Sequence, residues 1–408
     1  MDVIHRRCAG LDVHKDTVVA CARIQERSRV RRVVETFATT TSGLLALLDF
    51  LKAQRCTQAA MEASGVYWKP VWHVLEGHVE LLLANAKHVR NLPGRKTDVN
   101  DATWIADLLA HGLIRASFVP PEPVQQLRDL TRTRRQMVRQ ITRHIQRIQK
   151  TLEDANIKIT GLVTDLLGAS GRAILKALAA GEHDPERLAA LLRGSLVLKR
   201  DAVIEGLRGR ITGHHRFLLS VHLAQIEALE LGCREIENRI AEVLEPFRLH
   251  AKLLTTIPGV SQIAAQTLIA EIGADMSRFP TARHLISWAG LCPKNDESAG
   301  KRRSTRLRPG APWLKPVLVQ AAWAASQKKD SYLRSQFLRL RGRRGAKKAN
   351  IAVAASILTA AYHILRDRVA YQDLGPAYFE RRDKIHIVNR LLKRMSALGF
   401  HVELRPAA

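Results

Sequence analysis

Residues 124–156 constrain this chain more than any other stretch. The apolar positions Val138, Ile141, Ile145, Ile148 and Leu152 step by three and four, a spacing that lines one side of a helix and calls for a second helix to cover it. A second seam of the same kind runs through Ile226, Leu229, Cys233, Ile236, Ile240, Val243 and Phe247, in a segment rich in Glu. It predicts a packing partner, either within the chain or across a dimer. Long coiled-coil helices are therefore expected in the middle of the molecule, and the seams favour a homodimer or homotetramer.

Beside the first seam, Arg128, Arg132, Arg135, Arg139, Arg143, Arg147 and Lys150 repeat at the same steps. A solvated helix face ordinarily mixes signs through pairs four residues apart. This one carries almost no acids, so phosphate is its expected contact. The whole chain agrees: 65 Lys+Arg against 38 Asp+Glu give a formal charge of +27, and a surplus of that size favours a polyanionic partner, usually nucleic acid. The charge is unevenly placed. Residues 1–112 hold 15 Lys/Arg and 12 Asp/Glu, a net of +3, which leaves +24 to residues 113–408. An acid-containing N-terminal part precedes strongly basic machinery.

The five cysteines are scattered, with no C-x-x-C pair, which argues for a reducing cytoplasm and against a disulfide framework or zinc ribbon. The most apolar stretch, 351–365, is too short and Ala-rich to span a bilayer and reads as a buried helix. A soluble protein is expected.

In the N-terminal part, β-branched runs predict strands at 8–13, 17–22, 30–37, 58–62 and 79–84, with helices at 42–54, 68–77 and 97–111. The order β-β-β-α-β-α-β, then a helix, predicts a three-layer α/β domain with a mixed sheet. Asp12 ends the first strand and Glu62 the fourth, the strand ends at which ligands gather in such sheets. Asp98 and Asp101 stand three apart in Lys96-Thr97-Asp98-Val99-Asn100-Asp101-Ala102 and share a helix face. Each acid alone has a plainer role, as a helix cap or a strand end. Together, in an order suited to a ribonuclease-H-like sheet, they point to a site for hard divalent cations, which can activate a nucleophile and stabilise a leaving oxygen on phosphorus. His14 and Lys15 follow Asp12 and fit phosphate contact or a plain surface role equally.

Pro120, Pro121 and Pro123 mark a boundary. Farther on, Thr256-Ile257-Pro258-Gly259-Val260-Ser261 leads into an apolar helix at 264–272, resembling a helix-hairpin-helix element whose N–H groups can hold a phosphate. Residues 294–348 contain 16 Lys/Arg and three acids, with a polar loop at 295–304 and helices expected at 312–328, 330–341 and 347–368. The expected division is 1–119 (α/β catalytic), 120–250 (basic helical), 251–370 (mainly helical) and 371–408 (tail).

Gly10-Leu11-Asp12-Val13-His14-Lys15, Met61-Glu62-Ala63-Ser64-Gly65, the Asp98–Asp101 segment and Ile257-Pro258-Gly259-Val260 together resemble the IS110 family of insertion-sequence transposases, in order and over nearly the whole chain. The resemblance implies a RuvC-like Asp-Glu-Asp-Asp domain that binds Mg2+, with Mn2+ as its substitute, at Asp12, Glu62, Asp98 and Asp101. It also implies a C-terminal transposase domain whose loop serine attacks DNA. By position after Gly290-Leu291-Cys292-Pro293 that serine is Ser298, with Ser304 as the alternative, and Lys301, Arg302 and Arg303 beside it are expected to touch nucleic acid. A covalent phosphoserine would conserve bond energy for rejoining. The family further implies donor and target DNA as substrates, a structured noncoding guide RNA, and work on the bacterial nucleoid in the cytoplasm.

Other classes compete. A RuvC-type nuclease would use metal-activated water and leave Ser298 structural. A sugar kinase of the actin-like type also begins with a Gly-x-Asp strand, but it needs glycine-rich phosphate loops that are missing here. A non-catalytic scaffold has no use for clustered acids that repel phosphate.

Overall fold

The computed structural model describes residues 3–403 apart from 28, 64, 86–88, 90–100, 115, 294–296, 303, 305 and 383. The chain forms two compact units, Met1–Pro120 and Pro121–Ala408.

The first unit holds β1 (Arg7–Val13), β2 (Thr17–Glu26), β3 (Arg29–Ala38), α1 (Thr41–Ala53), β4 (Gln58–Glu62), α2 (Trp68–Leu75), β5 (Glu80–Ala84) and α3 (Asp101–Ala110). The strands lie in the order β3-β2-β1-β4-β5, β2 antiparallel to both neighbours and β1, β4 and β5 parallel. The expected mixed sheet is present. Side chains alternate between its faces. Leu11 and Met61 pack on one side with Leu47 and Leu51 of α1 and Leu75 of α2, while Cys8 and Ala60 pack on the other with Ile105 and Leu109 of α3. β2 and β3 run longer than their apolar pattern predicts, paired from Thr17↔Ala38 to Glu26↔Arg29. β3 is an edge strand, largely exposed, so no burial forces alternation on its sequence.

The second unit is helical. Its first helices are α4 (Glu122–Asp154), α5 (Ala169–Ala180), α6 (Pro185–Ala189), α7 (Arg200–Leu207) and α8 (Gly213–Val243), of which α4 and α8 are the long ones. After them come α9 (Arg248–Leu254), α10 (Gln262–Ile272), α11 (Ala282–Trp288), the short strands β6 (Glu297–Ser298) and β7 (Lys301–Arg302), α12 (Leu314–Ala325), α13 (Tyr332–Arg344), α14 (Ala346–Asp367), α15 (Tyr378–Arg382) and α16 (Lys384–Ala397). Pro121 and Pro123 flank the start of α4, where proline loses no helical bond.

The two seams cover each other: α4 and α8 pack together along the chain's own fold, which removes them as an argument for a dimer. Ile148 and Leu152 of α4 are fully buried with Leu219, Leu223 and Ile226 of α8, and residues 158–215, which carry no motif, complete that core. Val138, in contrast, stays 42% exposed. A second core gathers α9 to α14 around Val353, Ala354, Ile357, Leu358 and Ala361. α14 has the length and apolarity of a membrane span, yet α9, α11, α12 and α13 pack around it.

Candidate functional site

The register of β1 and β4 decides where the acids of the first unit lie. Leu11 pairs with Met61 in parallel, so Asp12 and Glu62, each one residue on, extend from adjacent strands to one face, opposite the Leu11 and Met61 core. Asp12 also pairs with Val19, which packs against Ala102 and Ala106. The shared face is therefore the one that α3 covers, and Asp101 is the first residue of α3.

Close approach makes this possible. A Cβ on Gly10 would lie 2.1 Å from the Ala102 carbonyl oxygen and 2.4 Å from the Ala106 nitrogen, so only glycine lets α3 rest here. A charge clamp holds the other end of the contact: Arg23 Nε donates to Asp107 Oδ1 at 2.8 Å, and Arg32 reaches both Asp107 oxygens at 3.0 and 3.1 Å. The Arg23 side chain is 4% exposed. Neither Gly10's packing role nor this clamp was visible in the sequence, because both depend on what lies across the sheet.

Asp12 lies 3.2 Å, Oδ2 to Nε2, from His14, with its side chain 23% exposed. Glu62 and Asp101 are half-buried. Asp98 lies outside the described residues. Among the described residues, no three His, Cys, Asp or Glu side chains are gathered closely enough to hold an ion by themselves. The donors nearby are carboxylates, which hard cations prefer, with the His14 imidazole beside Asp12. Burial pushes the Cys8 thiol up to about 12 and the Cys56 thiol up to about 11.

In the second unit, Ser298 sits on a two-residue hairpin, paired with Lys301. Ala299 and Gly300 at its tip both have positive φ, 51° and 74°, the conformation tight hairpins require. Ser298 and Lys301 are exposed. Ser304 is half-buried and its Oγ accepts from the Arg306 N–H at 3.2 Å, which leaves Ser298 the more accessible hydroxyl. Arg303 lies outside the described residues, and Arg302 is described as backbone in β7.

The α4 stripe divides. Arg128 donates to the carbonyls of Ala270 and Glu271 at 2.9 Å each, at the end of α10, and burial lowers its pKa. Arg132 grips the buried Glu271 carboxylate with two 2.8 Å bonds. Arg135 donates to the Trp313 carbonyl at 2.7 Å. Each of these three residues, expected to touch phosphate, thus also has a hydrogen-bond partner inside the unit. The guanidiniums of Arg132, Arg135 and Arg139 also lie 5.4–5.9 Å from the Trp313 ring centre, within cation–π range. Arg139, Arg143, Arg147 and Lys150 are exposed and remain a basic face. Next to them, His144 and His222 approach to 3.3 Å, and burial with the nearby Arg147 lowers both pKa values.

The Pro-Gly turn joins α9 to α10, with Ser261 capping α10 by accepting from the Ala264 N–H. A Cβ on Gly259 would meet the Ala321 carbonyl oxygen at 2.2 Å. That glycine is therefore required for packing on α12.

Two family models match the chain, in order. A DEDD-type IS110 transposase model matches residues 9–157, and the model of the IS116/IS110/IS902 transposase family matches residues 251–338; together they cover more than half of the chain. The chain is 32% identical to the IS110 insertion-element 43.6 kDa protein of Streptomyces coelicolor over 36% of each sequence. It is 28% identical to the IS900 insertion-element 42 kDa protein of Mycobacterium paratuberculosis, over 72% of this chain and 80% of that one. It is 31% identical to the pilin gene-inverting protein of Moraxella bovis, over 28% of this chain and 37% of that one. The chain thus spans little more than a third of the length of two of these relatives and four-fifths of the third.

Proposed function

Because the chain belongs to the IS110 family of transposases, we propose that it cuts and rejoins DNA strands, with a ribonuclease-H-like (RuvC-like) first unit and a serine nucleophile in the second. The observation that carries this reading is the register of β1 and β4, which sends Asp12 and Glu62 to the face that begins α3 with Asp101. With Asp98, these carboxylates would hold Mg2+ or Mn2+. A bound divalent ion supplies Lewis acidity toward a phosphate and lowers the pKa of a coordinated hydroxyl.

The chain's own residues supply the rest. Ser298, exposed on its hairpin, is the attacking group: its Oγ forms a bond to phosphorus as the bond from phosphorus to a deoxyribose oxygen breaks. The serine proton passes to a base, and the departing sugar oxygen is protonated. A sugar hydroxyl from a second strand then reverses the step, restoring the phosphodiester and the serine. The basic residues Lys301, Arg302 and Arg303, and the outer half of the α4 stripe, hold the phosphate backbone, which fixes position without reading sequence. Sequence choice falls to a guide RNA paired with donor and target DNA. The Moraxella relative is named for inverting a gene, an outcome of cutting and rejoining.

The same reading divides the chain at 119, 250 and 370, counts α4 and α8 as a coiled coil and the Pro-Gly turn as a helix-hairpin-helix element, and has two or four copies act together on the nucleoid. The test is trapping. Incubated with DNA from the ends of the element that carries this gene, the wild-type chain should yield a covalent protein–DNA adduct that maps to Ser298. Ser298→Ala should yield none while still binding DNA. Cleavage with no adduct in the wild type would identify a water-using nuclease instead.

A further inference from the structure

A cavity of about 440 Å3 lies against the first turns of α14, walled in part by Pro293 and Leu307, which stand on either side of the Ser298 hairpin in the sequence. Its floor is aliphatic, made by Leu291, Leu307 and Ile351, and its rim carries Arg344, Lys347 and Lys348. All three cations are exposed, and no acid is found among the described residues that line the space. Pro293, also in its wall, forms a backbone bridge with Leu307 that closes the base of the serine loop. Ser298 is five residues from Pro293, at most about 17 Å along an extended chain.

This combination selects its ligand. A bare phosphate would use the rim and leave the aliphatic floor empty. A metal ion would find no carboxylate among the described lining residues. A stacked duplex offers phosphates but keeps its bases away from any protein floor. One nucleotide swung out of the stack offers both an apolar base and an anion at its edge.

We propose that this cavity holds a single unstacked nucleotide of the DNA strand served by the Ser298 hairpin, its base on Leu291, Leu307 and Ile351 and its phosphate among Arg344, Lys347 and Lys348. The inference rests on reading the chain as a DNA strand-transfer enzyme. Held there, an opened strand keeps its neighbouring phosphodiester within reach of the hairpin and keeps it from stacking back into a duplex.

The probe is a short single strand of deoxyadenylate carrying one 2-aminopurine, which is quenched while stacked and brightens when it leaves the stack. Binding to the wild-type chain should raise the fluorescence about two-fold or more if the base is drawn into the cavity. Ala352 also lines the space, and Ala352→Phe should fill it, abolishing the rise while anisotropy still reports binding within about two-fold of wild type, since backbone charge dominates affinity. The double variant Lys347→Ala/Lys348→Ala, at exposed positions outside the core, should also lose most of the rise at equal occupancy. Wild-type binding without a rise, or a rise that survives both variants, overturns the cavity's role and leaves strand transfer standing. Failure to bind the oligonucleotide, with no Ser298 adduct on DNA, overturns both.

Discussion

The carboxylates and the serine are built to opposite specifications. Asp12 and Glu62 stand at the ends of central strands and are fixed by register, by a glycine contact and by the α3 packing above them. Ser298 stands on a hairpin of two residues a side, exposed, with its neighbour Ala299 at positive φ. The first arrangement is preorganised: its geometry exists before substrate arrives, as charge stabilisation requires. The second is presented outward, with no packing above it to fix the hydroxyl among the described residues. The same contrast recurs inside α4, where Arg128, Arg132 and Arg135 bond to other parts of the unit and Arg143, Arg147 and Lys150 are exposed.

If that contrast is real, substitutions on the built-in side should cost stability and those on the presented side should cost only binding or chemistry. The largest effect belongs to Gly10→Val. Its side chain must displace the α3 backbone, so the first unit should lose ~3 kcal/mol or more by chemical denaturation, and divalent-ion binding should fall with it. Unchanged stability would mean that α3 does not sit on Gly10.

Glu271→Ala comes next. It leaves Arg132 without its bidentate partner, and the second unit should lose about 2 kcal/mol, read as a lower denaturation midpoint with DNA affinity nearly unchanged. The double variant Arg143→Ala/Arg147→Ala should behave the other way. Its melting temperature should match wild type, while the slope of log affinity against log salt becomes shallower by about 1 per lost phosphate contact. A reversal of these two outcomes would break the division of α4. The smallest effect is expected from Ala299→Gly. Removing the Cβ relieves the left-handed strain but adds freedom to the unfolded chain, for a net gain of about 0.5 kcal/mol or less, with adduct formation preserved.

What the sequence made legible follows from what local pattern can encode. The strands and helices of the first unit were readable because buried faces impose alternation, and β3 was underestimated because an edge strand is exempt from it. The seams of α4 and α8 were readable as helix faces, but nothing in their spacing says that the covering helix belongs to the same chain. Spacing likewise placed seven cations on one side of α4 without revealing that Glu271, the end of α10 and the Trp313 carbonyl lie across from three of them. The acids Asp12 and Glu62 could be paired from their strand ends. The Arg23–Asp107–Arg32 clamp could not, since its members come from separate elements and carry no motif.

The central claim is that Asp12 and Glu62, with Asp98 and Asp101, form one divalent-ion site in the first unit. Mn2+ titrated into the full-length chain and followed by electron paramagnetic resonance tests it most directly. The account predicts saturable binding that weakens at least ten-fold in Asp12→Asn and again in Glu62→Gln, at unchanged melting temperature in the absence of metal, as expected when ligands are removed from a carboxylate site. Binding of equal strength in wild type and both variants would contradict it.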